Sequence, residues 1–540
     1  MSGGSTGWNF ADVWEVVADA LPDAQAQVQG KRRFTWAETD RRANGVAAWL
    51  LGLGVERQDK VVQYMYNCPE YMESVFAVFK AGLVPVNTNY RYGPTELHYL
   101  WDNADAVAGV FHGAFADTVD ELRGKLPRIR GWLWVDDGSG PCPDWAVPYE
   151  DVAAAHGDRV EARWGRSGDD IYMLYTGGTT GMPKGVMWRQ DDLFYLFNSG
   201  APRKVPEDRG LDGLRAELAN GPAGVTLPAC PLMHGTGAFT TMGALTSGGS
   251  DVTLEGRKFD VAELLDTVQA ERVNVLSIVG DAFAKPILAA LDAAPGRWDI
   301  SSLFVIISSG VMWSEQTKQG LLRHHSGMIL ADSLGSSEAV GMGTSLSSAA
   351  GTSQTAKFLV GENTRVLTED GRDVTPGSGE IGMVALRGRV PVGYYKDPEK
   401  SAATFRVVEG VRYSVPGDYA TVEADGTLRL LGRGSVCINT GGEKVYPEEV
   451  EEAVKEHPAV ADAVVVGVPD ERFGEAICAL VELRPGQEAG EDEIVTHVRS
   501  RLAAYKAPRR VLPIDSVNRA PNGKVDYRRL RELARERLGV

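Results

Sequence analysis

The chain has 540 residues, of which 43% are hydrophobic and 24% are charged. This length exceeds what one hydrophobic core fills, so we expect a globular protein with two or more domains. The formal net charge of −17 argues against a surface for nucleic acid or anionic membrane, because both need broad positive fields. The five cysteines lack CxxC spacing, which predicts neither a zinc site nor disulfides. The N-terminus has no signal-peptide pattern and no run of about 18 apolar residues occurs, so we expect a cytoplasmic protein without integral membrane association.

The first part of the chain alternates helical and strand-like patterns. An amphipathic helix is predicted over 36–55, a strand over 59–67, and a second helix that returns to a strand over 69–89. Short β-branched runs follow at 107–111, 131–135, 273–279, 303–309 and 327–333, separated by helical spans. Such alternation favours parallel sheets flanked by helices. The polar stretch 200–224 is predicted to be a surface excursion with one short helix.

The pattern changes after about residue 390. Residues 394–434 predict a helix, a turn and a β-hairpin, with Asp425 and Gly426 as the turn signal. From residue 446 onward, a helix, two strands, a helix over 491–505 and a final helix form a compact α+β set of about a hundred residues. We therefore predict an α/β protein with a large N-terminal domain of parallel-rich sheets over 1–432 and a small, mobile α+β C-terminal domain over 433–540. The boundary is placed in the Gly-rich segment 431–435.

A run of Gly and Thr with one Lys, YTGGTTGMPKG (175–185), follows the apolar strand IYMLY. Successive backbone N–H groups of a Gly-rich turn hold phosphate oxygens, and a Lys at the end adds positive charge. The spacing does not fit the GxxxxGK[ST] loop, because Pro183 precedes Lys184 and Gly185 follows it. A kinase or hydrolase of that kind is therefore disfavoured, whereas an anion-binding loop is indicated over a plain surface loop.

Together with five further segments, this loop carries a family resemblance. The segments are LMHGTG (232–237), SLGSSE (333–338), GDYA (417–420), GRGSVCINTGGEKVYPEEVE (432–451) and PNGKVDY (521–527). In this order they resemble the adenylate-forming acyl-CoA synthetases, and within them the actinobacterial branch acting on steroid-like and other bulky carboxylic acids. The resemblance implies that a carboxylate attacks the α-phosphorus of MgATP to give acyl-AMP, and that the thiol of CoA then takes the acyl group.

The resemblance also implies roles for individual residues. Lys524 would stabilise charge that develops during adenylation, Glu338 would hold Mg²⁺ with Thr180, and His234 would border the acyl pocket, although a lone His is usually structural. Asp418 would accept from the ribose hydroxyls and Arg433 would contact ribose and phosphate. Further nucleotide contacts are expected from Thr176, Gly177, Gly178, Thr179, Gly181, Lys184, Gly335, Ser336 and Ser337; CoA contacts from Gly441, Gly442 and Lys444; and the hinge at Ser435.

The acyl pocket is less well defined by the sequence. Its walls are expected from Phe239, Met242, the 280–283 stretch, Ser309, Gly310, Val311, Met312 and Gly341. Small residues such as Gly235, Gly237, Ala238 and Gly310 would leave space for a steroid or diterpenoid acid, although glycines that serve packing are the alternative. A linear fatty acid is the alternative substrate. A homodimer is the candidate assembly.

Five positions depart from the pattern of the family. Ser435 stands at the hinge, where Asp or Lys is frequent, and rotation is still expected there. Gly177 stands where a Ser is frequent in the phosphate-binding loop, which removes a hydrogen-bond donor. Leu334 replaces an aromatic residue that stacks on adenine, and bulky Met312 and Trp313 stand where small residues are usual near the nucleotide. These losses predict ATP binding weaker by about 1 to 3 kcal/mol.

Three other functions are therefore weighed against the complete ligase. The enzyme could perform mainly the thioesterification of an acyl-AMP made elsewhere. A carrier-protein loading enzyme is disfavoured, because no carrier domain follows residue 540. A non-enzymatic acyl-adenylate sensor would require Lys524 or Glu338 to be idle.

Overall fold

The computed structural model describes residues 7–155, 157–177, 182–440, 443–470, 474–520 and 523–540, and describes no side chain for residues 435 and 444. Its α-helices in chain order are α1 (Phe10–Ala20), α2 (Trp36–Gly52), α3 (Pro69–Lys80), α4 (Pro94–Asn103), α5 (Ala116–Arg123), α6 (Tyr149–Ala155), α7 (Gln190–Gly200), α8 (Gly210–Leu218), α9 (Gly235–Thr246), α10 (Val261–Ala270), α11 (Gly280–Ala293), α12 (Glu315–His324), α13 (Pro398–Thr404), α14 (Pro447–Lys455), α15 (Glu491–Arg499) and α16 (Tyr527–Leu538). No helix among these is both long enough and apolar enough to cross a bilayer.

The strands form four sheets. In chain order they are β1 (Gln25–Gln29), β2 (Arg32–Thr35), β3 (Lys60–Tyr64), β4 (Val84–Asn87), β5 (Ala106–His112), β6 (Gly131–Val135), β7 (Val147–Pro148), β8 (Ile171–Thr176), β9 (Lys184–Arg189), β10 (Val225–Pro228), β11 (Ser250–Thr253), β12 (Val275–Ile278), β13 (Val305–Ser309), β14 (Ile329–Ser336), β15 (Ala339–Ser347), β16 (Lys357–Phe358), β17 (Thr364–Leu367), β18 (Gly382–Arg387), β19 (Gly393–Tyr394), β20 (Phe405–Val408), β21 (Val411–Ser414), β22 (Asp418–Val422), β23 (Leu428–Arg433), β24 (Ile438–Thr440), β25 (Glu443–Val445), β26 (Val460–Asp470), β27 (Gly474–Leu483) and β28 (Arg510–Pro513).

The chain divides into two compact units that do not follow chain order. The larger unit contains Met1–Gly341, Leu346–Ser353 and Gly388–Arg406, and the smaller unit contains Met342–Ser345, Gln354–Arg387 and Val407–Val540. The segment between about 354 and 387 therefore belongs with the C-terminal part by its contacts. The domain boundary between residues 432 and 433 was placed at the expected hinge, and it stays a prediction.

The larger unit contains the two sheets that the alternating pattern predicted. One has the strand order β15-β14-β13-β12-β10-β11-β1-β2 and the other the order β19-β9-β8-β4-β3-β5-β6-β7. The pairs β12 with β13, β13 with β14, and β3 with β5 are parallel, as expected for buried β-branched strands separated by helices. The aromatic residues Phe10, Trp14, Phe76 and Phe79 pack together in the core that α1 and α3 share.

The smaller unit contains an antiparallel sheet and the predicted α+β set. Strands β22 and β23 pair antiparallel on either side of the predicted Asp425 and Gly426 turn. Strands β26 and β27 form a long antiparallel pair whose alternate side chains enter two cores. Helices α14 and α15 cover one face and α16 covers the other. The helix predicted through residue 505 is shorter, because α15 ends at Arg499 with Ser500 as its C-cap.

Candidate active site

The phosphate-binding loop, defined here as residues 176–184, joins two antiparallel strands. Thr176 at the end of β8 lies opposite Lys184 at the start of β9. Because a strand follows this loop, it differs from the strand–loop–helix arrangement of the GxxxxGK[ST] loop, and this agrees with the exclusion of that class from spacing. Gly178, Thr179, Thr180 and Gly181 lie outside the described residues.

Lys184 forms an ion pair that the sequence did not predict. Its Nζ lies 2.6 Å from Oδ2 of Asp397, and this hydrogen bond is the main reason why the pKa of Asp397 is lowered. Asp397 also caps α13 by accepting from the backbone N–H of Lys400. Both partners are about one third exposed, so the pair is accessible to a ligand. The geometry therefore holds the Lys184 ammonium at the end of the loop, where an anion can exchange with the carboxylate.

Tyr394 connects this Lys to the predicted metal ligand. Its hydroxyl donates a hydrogen bond of 2.8 Å to Oε1 of Glu338, and Lys184 Nζ lies 5.7 Å from the centre of its ring. Tyr394 reaches this position because the two-residue strand β19 pairs antiparallel with β9. Strand β9 also holds the Glu338 turn in place. The indole N–H of buried Trp188, which lies on β9, donates to the carbonyl of Ser337 at 2.8 Å. Loop, turn and β19 thus converge at one place in the larger unit.

The turn of residues 335–338 is a hairpin between β14 and β15. Ser336 Oγ accepts from the backbone N–H of Glu338 at 3.3 Å, and all four residues of the turn are half-buried. A Cβ on Gly335 would lie 3.1 Å from the carbonyl of Ala339, so a larger residue would crowd the hairpin. Leu334 is buried, and its predicted place beside adenine stays a prediction.

His234 is placed by a buried amide. It occupies the N-cap position of α9 and is half-buried. Asn87 at the end of β4 donates to the carbonyls of Met233 and Tyr175 at 2.6 and 2.9 Å, and it accepts from the backbone N–H of Tyr175 at 2.6 Å. Asn87 thereby ties the His234 segment to the strand that leads into the phosphate-binding loop. No motif marks Asn87, so these contacts could not be predicted from the sequence.

The residues predicted to line the acyl pocket occupy different environments. Ser309, Val311 and Met312 are half-buried, whereas Gly310 and Gly341 are exposed with φ of +94° and +80°, the left-handed region that favours glycine. Gly280 begins α11 against this segment, because its Cβ would lie 2.5 Å from the carbonyl of Met312. The segment is therefore fixed in place by a close backbone contact.

Two of the large residues named from the sequence are fully buried. Trp313 lies in the core of the larger unit, and its expected place near the nucleotide stays a prediction. Met242 is also fully buried, and its role as a wall residue stays a prediction. Phe239 is half-buried, with its ring 3.6 Å from the position of a Cβ on Gly235.

The small residues near α9 divide between packing and open space. A Cβ on Gly237 would lie 2.6 Å from the carbonyl of Pro231, so this glycine serves packing, and Ala238 is buried. Gly235 would meet Leu174 only at ordinary contact distance, and Gly310 has only Val279 within 4 Å among the described residues. Open space is therefore supported at Gly310, whereas Gly235 is in ordinary contact with Leu174 and Phe239. A separate groove of about 1080 Å³ beside Gly30, Glu255 and Lys258 contains none of the predicted site residues that the structure describes.

In the smaller unit, Asp418 and Arg433 lie opposite each other on β22 and β23. Arg433 Nε donates to Oδ1 of Asp418 at 3.2 Å. Oδ2 of Asp418 is buried and finds no hydrogen-bond partner within the described part of the chain. A buried carboxylate oxygen without a partner is costly, and a ribose hydroxyl is a donor that would satisfy it. This atom fits the predicted ribose contact.

Glu448 is a buried carboxyl in the same place that the sequence did not single out. Burial raises its pKa to about 8, with further contributions from Glu451 and Asp418, so it is largely neutral at pH 7. Its Oε1 accepts from the backbone N–H of Arg433 at 3.4 Å. A Cβ on Gly432 would lie 2.2 Å from its Oε2, and φ of +131° there also requires glycine. The packing of Glu448 thus positions the Arg433 backbone.

The remaining predicted residues lie in the smaller unit. Lys524 is exposed in a turn where its carbonyl accepts from Ala520 N–H at 2.8 Å. Strands β24 and β25 pair antiparallel on both sides of Gly441 and Gly442, which lie outside the described residues. The side chains of Ser435 and Lys444 are likewise not described, so the hinge and CoA contacts stay predictions.

The larger unit offers one carboxylate that fits a Mg²⁺ ligand. Glu338 offers a half-buried carboxylate oriented by the Tyr394 hydroxyl, and Mg²⁺ is commonly bound by one or two carboxylates together with phosphate oxygens and water. A protein cage of three or more His, Cys, Asp or Glu residues is absent from the described part of the chain. The arrangement therefore suits a metal that arrives with the nucleotide.

Comparison with known proteins identifies the family. The family model for AMP-binding enzymes matches residues 14–395, and the model for the AMP-binding enzyme C-terminal domain matches residues 449–524. The chain is 42% identical over 536 residues to the medium/long-chain-fatty-acid–CoA/3-oxocholest-4-en-26-oate–CoA ligase of Mycolicibacterium smegmatis, covering 98% of this chain and 97% of that protein. It is 43% identical to the 3-oxocholest-4-en-26-oate–CoA ligase of Rhodococcus rhodochrous, covering 96% and 95%.

A solved structure has the same fold. ATP-bound MatB from Rhodopseudomonas palustris superposes with a TM-score of 0.80 at 26% identity, covering 98% of this chain and 99% of that one. The resemblance in the motifs and the predicted α/β fold with a large N-terminal and a smaller C-terminal domain are thereby confirmed. The chain belongs to the AMP-binding enzyme family of acid–thiol ligases.

Proposed function

We propose that this enzyme joins CoA to a bulky carboxylic acid of the steroid or terpenoid type through an acyl-AMP intermediate. The observation that carries the substrate class is the identity of 42 to 43% over nearly the whole chain with ligases whose names specify a steroid acid. The name of the first of these relatives also specifies medium- and long-chain fatty acids, so a linear acid is the second candidate. Gly310 supports the wider acid, because only Val279 among the described residues lies within 4 Å of an ideal Cβ there.

The described residues support the first step as follows. Lys184 exchanges Asp397 for phosphate oxygens when ATP binds, and the Tyr394 hydroxyl keeps the Glu338 carboxylate turned toward the phosphates. When bound there, Mg²⁺ supplies charge that neutralises phosphate oxygens. Oδ2 of Asp418 accepts from a ribose hydroxyl. Lys524 stabilises negative charge on the carboxylate and the α-phosphate oxygens while the acyl–phosphate bond forms and pyrophosphate leaves.

The second step uses the CoA thiol. Its sulfur attacks the acyl carbonyl of acyl-AMP, and AMP leaves with the bonding electrons. In this proposal Lys524 acts only in the first step, and the 441–444 loop serves the second after the small domain rotates about Ser435. A cytoplasmic location and a homodimer also stay predictions, and free carboxylic acid, ATP and CoA are the proposed substrates.

A paired assay tests this proposal. CoA-thioester formation is followed by mass, once from acid with MgATP and once from synthetic acyl-AMP, with a steroid carboxylic acid and linear fatty acids of several lengths. We expect product from both starting points, and more rapid turnover of the steroid acid. Product from acyl-AMP alone would show an enzyme restricted to thioesterification, and no product with tight acyl-AMP binding would show a sensor.

Variants at Lys524 assign the two steps. Lys524→Ala should lower product formation from acid and MgATP by about two to three decades, because removal of a charge that stabilises a transition state typically costs this much. Product formation from acyl-AMP should stay near that of the wild type. Arg528→Ala is the matched control, since this nearby cation has a side chain that is 85% exposed. Equal losses in both reactions would contradict the role proposed for Lys524.

A further inference from the structure

The hydroxyl of Tyr92 lies against the first glycine of the phosphate-binding loop. An ideal Cβ on Gly177 would lie 3.0 Å from the Tyr92 hydroxyl oxygen, and no other atom of the described residues lies within 4 Å of that position apart from the chain neighbours. The hydroxyl therefore occupies space that a side chain at residue 177 would otherwise fill. Gly177 is also the position where the loss of a hydrogen-bond donor was expected, and the Tyr92 hydroxyl is a donor beside it.

Tyr92 is held in this position by its own loop and by the core. The loop follows β4, and the backbone N–H of Tyr92 donates to the carbonyl of Asn89 at 3.0 Å before α4 begins at Pro94. The ring packs against the core that contains Trp101 and Tyr175, the residue that precedes Thr176. The hydroxyl thus approaches the loop from a rigid support instead of from the loop itself.

The Tyr92 hydroxyl carries a proton that it can donate to an acceptor. Burial raises the pKa of Tyr92 to about 12, so the hydroxyl keeps its proton at neutral pH.

We propose that Tyr92 is a nucleotide-binding residue whose hydroxyl donates to the phosphate oxygens of ATP at Gly177. This inference rests on the proposed function and adds a residue to its site. The Tyr92 hydroxyl, which comes from a different part of the chain, would replace the hydrogen-bond donor that was expected to be lost at Gly177. A Ser at residue 177 and a Tyr at residue 92 crowd each other, because a contact of 3.0 Å to a Cβ is tighter than ordinary van der Waals packing.

Four proteins test the exchange: the wild type, Tyr92→Phe, Gly177→Ser and the double variant. The dissociation constant for ATP is measured by calorimetry, and kcat/KM for ATP is measured in acyl-AMP formation. Tyr92→Phe should lower kcat/KM about 10- to 100-fold, as expected for loss of a hydrogen bond to a charged group. Gly177→Ser alone should also lower it, because the new side chain meets the Tyr92 hydroxyl. The double variant should recover to within about threefold of the wild type, since it has both the space and a hydroxyl.

Two controls separate this role from a structural one. Tyr90→Phe removes a hydroxyl from the same loop, at a ring that contacts Tyr66, and should leave ATP binding unchanged. Thioester formation from synthetic acyl-AMP should be unchanged in Tyr92→Phe. Unchanged ATP binding in Tyr92→Phe, equal losses in both half-reactions, or a double variant no better than either single variant would each overturn the proposal. If the wild type made no thioester but bound ATP, the proposed function would fail while calorimetry still tested Tyr92.

Discussion

Asp251 provides a sharp test of the physical reasoning, because it is a carboxyl buried without compensation. It lies on β11, opposite Gln27 of β1 and Thr226 of β10. Both of its carboxyl oxygens are buried and lack a hydrogen-bond partner in the described residues. Burial raises its pKa from the usual 3.8 to about 7. The perturbation we consider is Asp251→Asn, which keeps the shape and removes the ionisation.

The direction of the effect follows from the two pKa values. Well below pH 3.8 the Asp251 carboxyl is neutral in both the folded and the unfolded chain, so its burial causes no pH-dependent loss of stability there. As the pH rises toward 7, the unfolded chain releases the proton while the folded chain retains it, so stability falls. The difference of about three pKa units corresponds to about 4 kcal/mol, of which about 3 kcal/mol falls above pH 5. Asp251→Asn should therefore gain about 3 kcal/mol relative to the wild type between pH 5 and pH 8.

Tryptophan fluorescence during urea unfolding is a suitable assay. All twelve tryptophans lie between Trp8 and Trp313, so the signal reports on the larger unit, which contains Asp251. The matched control is Asp212→Asn, because the side chain of Asp212 is 92% exposed. The effect of this substitution on the free energy of unfolding should not change with pH. If the stability difference between Asp251→Asn and the wild type were constant from pH 5 to pH 8, the burial argument would be refuted.

Two further predictions concern nucleotide binding. Tyr394→Phe removes the hydrogen bond to Glu338 and should weaken Mn²⁺ binding in the presence of an unreactive ATP analogue about 10-fold or more, as measured by electron paramagnetic resonance, while thioester formation from acyl-AMP is retained. Unchanged Mn²⁺ affinity would show that Glu338 needs no orientation by Tyr394. Asp418→Asn should abolish the preference of the wild type for ATP over its 2′,3′-dideoxy analogue in calorimetry, because Oδ2 is the proposed acceptor for ribose. A preference that survives the substitution would place the ribose elsewhere.

Local signals accounted for much of what the sequence predicted. Short β-branched runs identified strands such as β5, β6 and β12 to β14, and the Asp425 and Gly426 turn identified the β22 and β23 hairpin. These signals succeed because periodicity and turn chemistry act over a few residues. The end of α15 was misplaced, since a helix end depends on what its last turn packs against.

The composition and the motif order of the sequence by itself determined the enzyme family and the presence of a large and a small domain, and they predicted which loop holds phosphate. Only the tertiary structure decided which side chains support that loop. Tyr394 and Asp397 reach Glu338 and Lys184 across 56 and 213 residues of chain, and Tyr92 reaches Gly177 from another strand end. The tertiary structure likewise decided that Trp313 is fully buried in the core of the larger unit. The physical reason is that sheet order brings distant strand ends together, and no local pattern in the chain records which ends become neighbours.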